Sequence, residues 1–109
     1  MGKETLGEFE HHVLLATLRL RGEGFSTSIV LELEERIGRS VAPAAVYIAL
    51  RRLEEKGLVD SRMELAEGEQ DPRTRRYFHV TERGRLSLLE ARRRFDRLWD
   101  GLDPLEEEV

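Results

Sequence analysis

The amino-acid sequence predicts a mainly α-helical fold with one small β-hairpin. Three segments in the first half carry apolar residues at helical spacing, and two later segments alternate apolar and polar residues on either side of a polar connection. A fourth helical segment follows, whose apolar residues recur at spacings of 3 and 4. At 109 residues the chain fits one domain. Aromatic residues make up only 6% of it, so the core must consist mainly of aliphatic side chains.

The first two predicted helices are amphipathic and end at glycines. The segment LGEFEHHVLLATLRLRG forms an apolar stripe on one helix face and ends at Gly22 and Gly24. In FSTSIVLELEERIG, we expect Ser26 or Thr27 to cap the second helix and Gly38 to end it. The stripe of the first helix consists of Leu6, Phe9, Val13, Ala16 and Leu20.

The third predicted helix begins at Pro43, which suits a first helical turn because its missing N–H would have no partner there. It runs to Lys56 and stops at Gly57, the residue best able to adopt a left-handed conformation. At 100° per residue, one side of this helix faces the core through Val46, Leu50 and Leu53. The far side carries Ala44, Ile48, Arg51 and Arg52, with Tyr47 at the border.

The sequence after Gly57 changes to a period of two. One strand is predicted through Val59, Ser61, Met63 and Leu65, and the other through Phe78 and Val80. The polar, turn-rich segment EGEQDPRT connects them. Thr81 is placed to cap the fourth helix. Its apolar seam consists of Leu88, Ala91, Phe95, Leu98 and Leu102.

The formal net charge of −4 conceals a local difference in charge. Residues 40–99 hold 13 basic and 10 acidic side chains, whereas residues 100–109 hold no basic and 5 acidic ones. The acidic total therefore does not exclude an anionic partner. The chain has no cysteine, no apolar signal segment and no stretch long enough to span a membrane, so we expect a cytoplasmic protein without membrane association.

Three helices followed by a β-hairpin is the order of a winged helix-turn-helix domain, in which the third helix enters the major groove of DNA and the hairpin, or wing, lies beside it. Arginines on both elements can bind phosphates or guanine, and Ile48 can touch sugar or a thymine methyl group. The sequence thus predicts a site for double-stranded DNA. Its candidate residues are Ala44, Tyr47, Ile48, Arg51 and Arg52 on the helix and Arg73, Arg75 and Arg76 on the wing.

Two alternatives to DNA contact stay open for these residues. The helix face is also compatible with a solvated surface bearing pairs such as Arg51 with Glu55. The wing arginines have acidic neighbours on the same loop, at Glu67, Glu69 and Asp71. An overall alternative is a winged-helix module that binds a protein partner instead of DNA, which the net charge and the acidic wing tip favour.

Three segments of the chain resemble the PadR family of bacterial transcriptional regulators. They are LGEFEHHVLLATLRL, AVYIALRRLEEKGLV and RRYFHVTERGRLSLLE, and the resemblance extends from about Leu6 to Leu102. It implies a winged-helix fold, a homodimer made through the C-terminal helix, and operator DNA bound usually by a repressor. By position, Tyr47, Arg51, Arg75 and Arg76 are then expected to meet DNA. The tip AEGEQDPRT departs from the glycine-rich basic tip of many relatives.

The seam of the fourth helix is expected to pack on a second copy of the chain, because so small a domain has little surface to cover it. We divide the chain into a DNA-binding domain at 1–80, a dimerisation helix of the same compact unit at 81–102 and an acidic tail at 103–109. Some members of the resembled family bind aromatic small molecules between these helices, which makes Phe95 and Trp99 a candidate effector site, although both can simply fill the dimer core. The predicted interface consists of Leu6, Phe9, Leu88, Ala91, Phe95, Leu98, Trp99 and Leu102.

No sequence pattern indicates catalysis. His11 and His12 are adjacent and so cannot share one helix face, and no zinc-protease, phosphate-loop or nucleophile-elbow motif occurs. We therefore predict neither an enzyme nor a bound metal or cofactor.

Overall fold

The computed structural model describes residues 6–65 and 74–102. The acidic tail at 103–109 and the predicted wing-tip residue Arg73 lie outside this part of the chain. The predicted order of elements is confirmed, with one short strand added. The elements are α1 (Glu8–Arg19), β1 (Gly24–Phe25), α2 (Ser26–Ile37), α3 (Pro43–Glu55), β2 (Val59–Leu65), β3 (Thr74–Val80) and α4 (Glu82–Trp99).

Helices α1, α2 and α3 pack around a core of aliphatic side chains. The predicted inner side of α3 is confirmed, since Val46, Leu50 and Leu53 are all fully buried. From the other helices, Val13, Leu14 and Ile29 are also fully buried. Burying each such side chain stabilises the fold by about 1.5 to 3 kcal/mol. Rotation of α3 about its axis would expose these side chains, so burial fixes its orientation.

Helix α3 ends in the way that its sequence predicts. Gly57 has a left-handed φ of 78°. The N–H of Gly57 donates to the Glu54 carbonyl at 3.0 Å, and the N–H of Leu58 donates to the Leu53 carbonyl at 2.9 Å. This pair of bonds is the Schellman pattern, which satisfies carbonyls at a helix end. The chain therefore turns sharply from α3 into β2.

The sheet has three antiparallel strands in the order β1-β3-β2. The two-residue strand β1 was not predicted, and it pairs Gly24 with Phe78. The predicted capping of α2 by Ser26 or Thr27 is wrong, because the helix already begins at Ser26 and Phe25 occupies the cap position. The Ser28 hydroxyl instead accepts the Phe25 N–H at 2.9 Å.

The predicted alternation in the hairpin is confirmed only near the helices. Val59 and Phe78 are buried, but Met63 and Leu65 are exposed. They lie towards the distal end of the hairpin, where the register pairs Met63 with Arg76. The expectation of a half-buried strand is wrong there because the distal half of the wing extends beyond the body of the helices.

The start of α4 is joined closely to the end of α3. The Thr81 side chain caps α4 as predicted, accepting the Gly84 N–H at 3.0 Å. The same hydroxyl donates to the Gly57 carbonyl at 2.8 Å, and the Thr81 N–H donates to the Leu58 carbonyl at 3.0 Å. A side chain on Gly84 would place its Cβ 2.2 Å from the Leu58 oxygen. Only glycine permits this approach.

The apolar seam of α4 divides into a buried and an exposed half. Leu88 and Ala91 are buried within the chain. The expectation that the whole seam needs a second copy to cover it is therefore wrong for these two residues, because the chain's own helical core reaches them. Leu6 and Phe9 are also partly buried against the core. The exposed residues of the predicted interface are Phe95, Leu98, Trp99 and Leu102.

Within the part of the chain described, α4 is the longest helix, and none of the helices combines the length and apolar character needed to cross a membrane.

Candidate nucleic-acid interface

The outer face of α3 presents the residues that the sequence placed there. Because the opposite side is fixed in the core, Ala44, Tyr47, Ile48, Arg51 and Arg52 are all exposed. Small, apolar, hydroxyl and guanidinium groups thus share one helix surface. Such a set can contact phosphates, base edges and thymine methyl groups in a major groove.

Tyr47 and Arg51 form a pair one turn apart on this face. Nη1 of Arg51 donates to the Tyr47 hydroxyl over 3.3 Å, and the guanidinium lies 5.9 Å from the centre of the Tyr47 ring. The hydrogen bond to Tyr47 is the main cause that raises the pKa of Arg51 above its ordinary value. The contact with Tyr47 places the Arg51 guanidinium beside the tyrosine ring on the exposed face of α3.

Arg52 points to another part of the surface. Its Nη1 lies 3.9 Å from the Glu10 carboxylate on α1, which also accepts a hydrogen bond from Lys56 at 2.8 Å. Arg52 thus lies on the α1 flank of α3, close to a carboxylate. The geometry makes it less available to an anionic ligand than Arg51.

The wing arginines Arg75 and Arg76 leave β3 from opposite faces, as adjacent strand residues do, but both side chains line the same groove beside α3. The Arg75 guanidinium lies 4.2 Å from the centre of the Phe25 ring. Arg76 donates to the Ser61 hydroxyl at 2.9 Å, and Ser61 in turn donates to Glu54 at 2.8 Å. Each guanidinium is therefore positioned by a contact to a neighbouring element.

A groove of about 620 Å³ separates α3 from the wing. One end of α2 lines it through Ser26 and Thr27, and Thr74 lines the wing side. The sequence reasoning treated Ser26 and Thr27 only as helix caps. The available signal was the combination of hydroxyls with a helix N-terminus, whose N–H groups favour phosphate. The lining residues are Phe25, Ser26, Thr27, Tyr47, Thr74, Arg75, Arg76 and Phe78.

A second surface lies between α1 and α4. A groove of about 390 Å³ there is lined by His11, Leu15, Leu89 and Phe95, among others. Leu15 and Leu89 are exposed apolar residues that the sequence reasoning missed, because helical spacing alone did not show which flank of α4 faces α1. Trp99 lies one helical turn beyond Phe95 and is exposed.

His11 lines this groove and a second one of about 590 Å³ on the same side of α1. Burial lowers the pKa of His11 from its usual 6.5, and the nearby charges of His12 and Arg94 lower it further. Within the described residues, 6–65 and 74–102, no group of three His, Asp or Glu side chains lies close enough together to hold a metal ion.

These features define a class of protein. A three-helix body, a third helix with an exposed polar and basic face, and a β-hairpin beside it constitute a winged helix-turn-helix domain. The chain belongs to the PadR-like family of transcriptional regulators, whose family model matches residues 14–90. The resemblance seen in the three sequence segments is thereby confirmed.

Solved structures agree with this assignment. A PadR family transcriptional regulator from Eggerthella lenta is 27% identical, with a TM-score of 0.67 over 89% of this chain and 82% of that chain. A Streptococcus transcriptional regulator is 19% identical, with a TM-score of 0.70 over 90% of this chain and 91% of that one. At this low sequence identity, the structural similarity shows only that the two proteins share a fold. Comparison with curated protein sequences finds no similar protein.

Bacillus subtilis PadR in complex with operator DNA is also similar in fold. It is 20% identical, with a TM-score of 0.61, and the match covers 75% of this chain and 45% of that chain.

Proposed function

We propose that this protein binds double-stranded operator DNA through α3 and the wing formed by β2 and β3, and represses transcription. The observation that carries the proposal is the groove between the two elements, with Tyr47 on one side and Arg75 and Arg76 on the other. The fold agrees with that of Bacillus subtilis PadR, which was solved with operator DNA. In this arrangement α3 enters the major groove while the wing arginines contact phosphates beside it.

Two copies of the chain are proposed to bind one operator. Among the arginines at the end of α4, Phe95, Leu98 and Trp99 are exposed, and Leu98 is 71% exposed. Burial of these apolar side chains against a partner is favourable. Pairing of two such helices about a two-fold axis buries Phe95, Leu98, Trp99 and Leu102. It also places two α3 helices about 34 to 36 Å apart, one turn of DNA. The expected operator is therefore an inverted repeat, read by residues 1–80 of each copy and spaced by residues 81–102.

An aromatic small molecule is proposed to release the operator by binding beside Phe95 and Trp99. Phe95 lines both α1–α4 grooves, so a ligand bound in either groove would lie beside the proposed dimer interface, which includes Phe95 and Trp99. Trp99 is the only tryptophan, so its fluorescence reports directly on this site. Quenching by an aromatic compound that also weakens operator binding supports the idea. If no compound that quenches Trp99 changes operator affinity, this part of the proposal is wrong.

The central experiment selects bound duplexes from a random DNA pool and measures the affinity of the enriched duplex by fluorescence anisotropy. We expect Arg51→Ala to weaken binding by about 1 to 3 kcal/mol and to relax specificity at one position of each half-site. Arg93→Ala, which removes an exposed arginine from α4, is the matched control and should leave affinity unchanged. Circular dichroism and light scattering must show the same fold and mass for both variants.

Salt dependence separates DNA binding from the protein-partner alternative. Affinity for the enriched duplex should fall steeply with rising salt, because phosphate contacts release counterions. An apolar protein interface does not show that dependence. Failure to enrich any duplex, with the dimer intact, would reject DNA binding and favour a protein partner. Repression itself is tested by adding the protein to transcription from a promoter that contains the enriched sequence.

A further inference from the structure

One exposed apolar side chain lies at the centre of the surface proposed to meet DNA. Ile48 is 52% exposed on the outer face of α3, between Ala44 one turn earlier and Arg51 nearly one turn later. A branched aliphatic side chain gains nothing from exposure to water, and burial of its surface is favourable. Exposure alone does not distinguish Ile48, since Leu86 on α4 is 55% exposed. What distinguishes Ile48 is its place beside Tyr47 and Arg51 on the surface proposed to meet DNA.

The major groove offers one such group. Thymine carries a C5-methyl group there beside its O4 acceptor, and none of the other three bases carries a methyl group. Ile48 has no polar side-chain atom and so makes no side-chain hydrogen bond to a base. Ala44 and Ala45 precede it, and their small side chains let the start of α3 approach the floor of the groove. We infer that Ile48 reads the C5-methyl group of one thymine in each operator half-site; this inference rests on the DNA-binding function proposed above.

The neighbouring arginine limits where that thymine lies. Arg51 follows Ile48 by three residues, which is about 4.5 Å along the helix axis. Successive bases on one strand are about 3.4 Å apart. Arg51, directed by the Tyr47 hydroxyl, is suited to a guanine, the base that arginine contacts most often. The thymine read by Ile48 therefore lies within about two base pairs of that guanine.

The test replaces each thymine of the enriched duplex in turn by deoxyuridine, which removes the methyl group and leaves base pairing unchanged. Dissociation constants of the wild type and of Ile48→Ala are measured for every duplex by fluorescence anisotropy. One position near a guanine should weaken wild-type binding by about four-fold, the loss expected for one buried methyl contact. Ile48→Ala should bind the thymine and deoxyuridine duplexes at that position equally well. Leu86→Ala, which shortens a side chain of similar exposure (55%) on α4, should respond to deoxyuridine as the wild type does.

Two results would overturn the inference while leaving DNA binding in place. In the first, no thymine position responds in the wild type, which would mean that Ile48 touches only sugar or water. In the second, Ile48→Ala keeps the full response, so that another residue reads the methyl group. A wild-type protein that enriches no duplex at all contradicts the proposed function itself. The failure of one proposal is thus distinguishable from the failure of the other.

Discussion

Gly84→Ala tests the close packing of α4 against the end of α3. In an ordinary helix this change is stabilising by about 1 kcal/mol, because alanine has the higher helix propensity. Here the new Cβ would lie 2.2 Å from the Leu58 oxygen and 2.8 Å from Cγ1 of Val80. Normal contact distances require α4 to move away by about 1 Å. The steric effect should therefore reverse the sign that propensity alone predicts.

The magnitude follows from the contacts that the movement disturbs. Overpacking of this kind costs about 1 to 3 kcal/mol. The displacement also weakens the hydrogen bonds from Thr81 N–H to Leu58 and from Gly84 N–H to Thr81, each contributing about 1 kcal/mol. After subtraction of the propensity gain, the free energy of unfolding should fall by about 2 to 4 kcal/mol, and Tm by at least about 8 °C.

The assay is urea and thermal unfolding followed by far-ultraviolet circular dichroism, at one protein concentration because self-association changes apparent stability. Arg85→Ala is the control: it also places an alanine in the first turns of α4, but at an exposed position. Its Tm should change little. A Gly84→Ala protein as stable as the wild type, or more stable, would refute the reasoning from close contact.

Three further predictions concern charge and self-association. Burial lowers the pKa of His11, so below its usual 6.5 the unfolded chain binds more protons than the folded chain. The free energy of unfolding should therefore fall as pH drops from 6.5 towards the pKa of His11 in the folded protein. His11→Gln should lessen this pH dependence in urea unfolding, and an equal pH dependence in both proteins would contradict the prediction. The hydrogen bond from Arg19 lowers the pKa of Glu32, so Arg19→Ala should raise that pKa in an NMR titration; an unchanged value would show that the 2.7 Å contact is not maintained in solution. Leu98→Arg should convert the proposed dimer to a folded monomer, with the mass measured by light scattering, whereas Leu86→Arg should leave the dimer intact. A Leu98→Arg protein that is still a dimer would place the interface elsewhere.

Helix α3 could be predicted in detail because its signals are local. The proline at its start, the glycine after its end and the apolar spacing between them all indicate the same helix. The spacing also determines which side is buried, so the exposure of Tyr47, Ile48 and Arg51 followed from the sequence. Local helix propensity and tertiary packing favour the same structure here, and such agreement allows a helix and its buried side to be predicted from sequence.

The misjudged features depend on partners distant in the sequence. Strand β1 forms because Gly24 pairs with Phe78. A strand of two residues is too short to show the alternating pattern from which strands are predicted. The burial of Leu88 and Ala91 depends on how α4 lies against the helical core, which the 3 and 4 spacing cannot specify. The separation of Arg75 from Arg76, by contrast, was implied by the period of two, since neighbours on a strand face opposite ways.

The joint between α3 and α4 links the helix proposed to recognise DNA to the helix proposed to form the dimer. Gly57 and Leu58 follow the end of α3. The Gly57 carbonyl accepts the hydroxyl of Thr81, and the Leu58 carbonyl accepts its N–H; Thr81 in turn caps α4. With Gly84 packed on the Leu58 carbonyl, little freedom remains for α4 to rotate relative to α3. In a dimer made through α4, the distance between the two α3 helices then depends on the angle at this joint. A change there should alter the preferred spacing of operator half-sites even where every residue that touches DNA is unchanged.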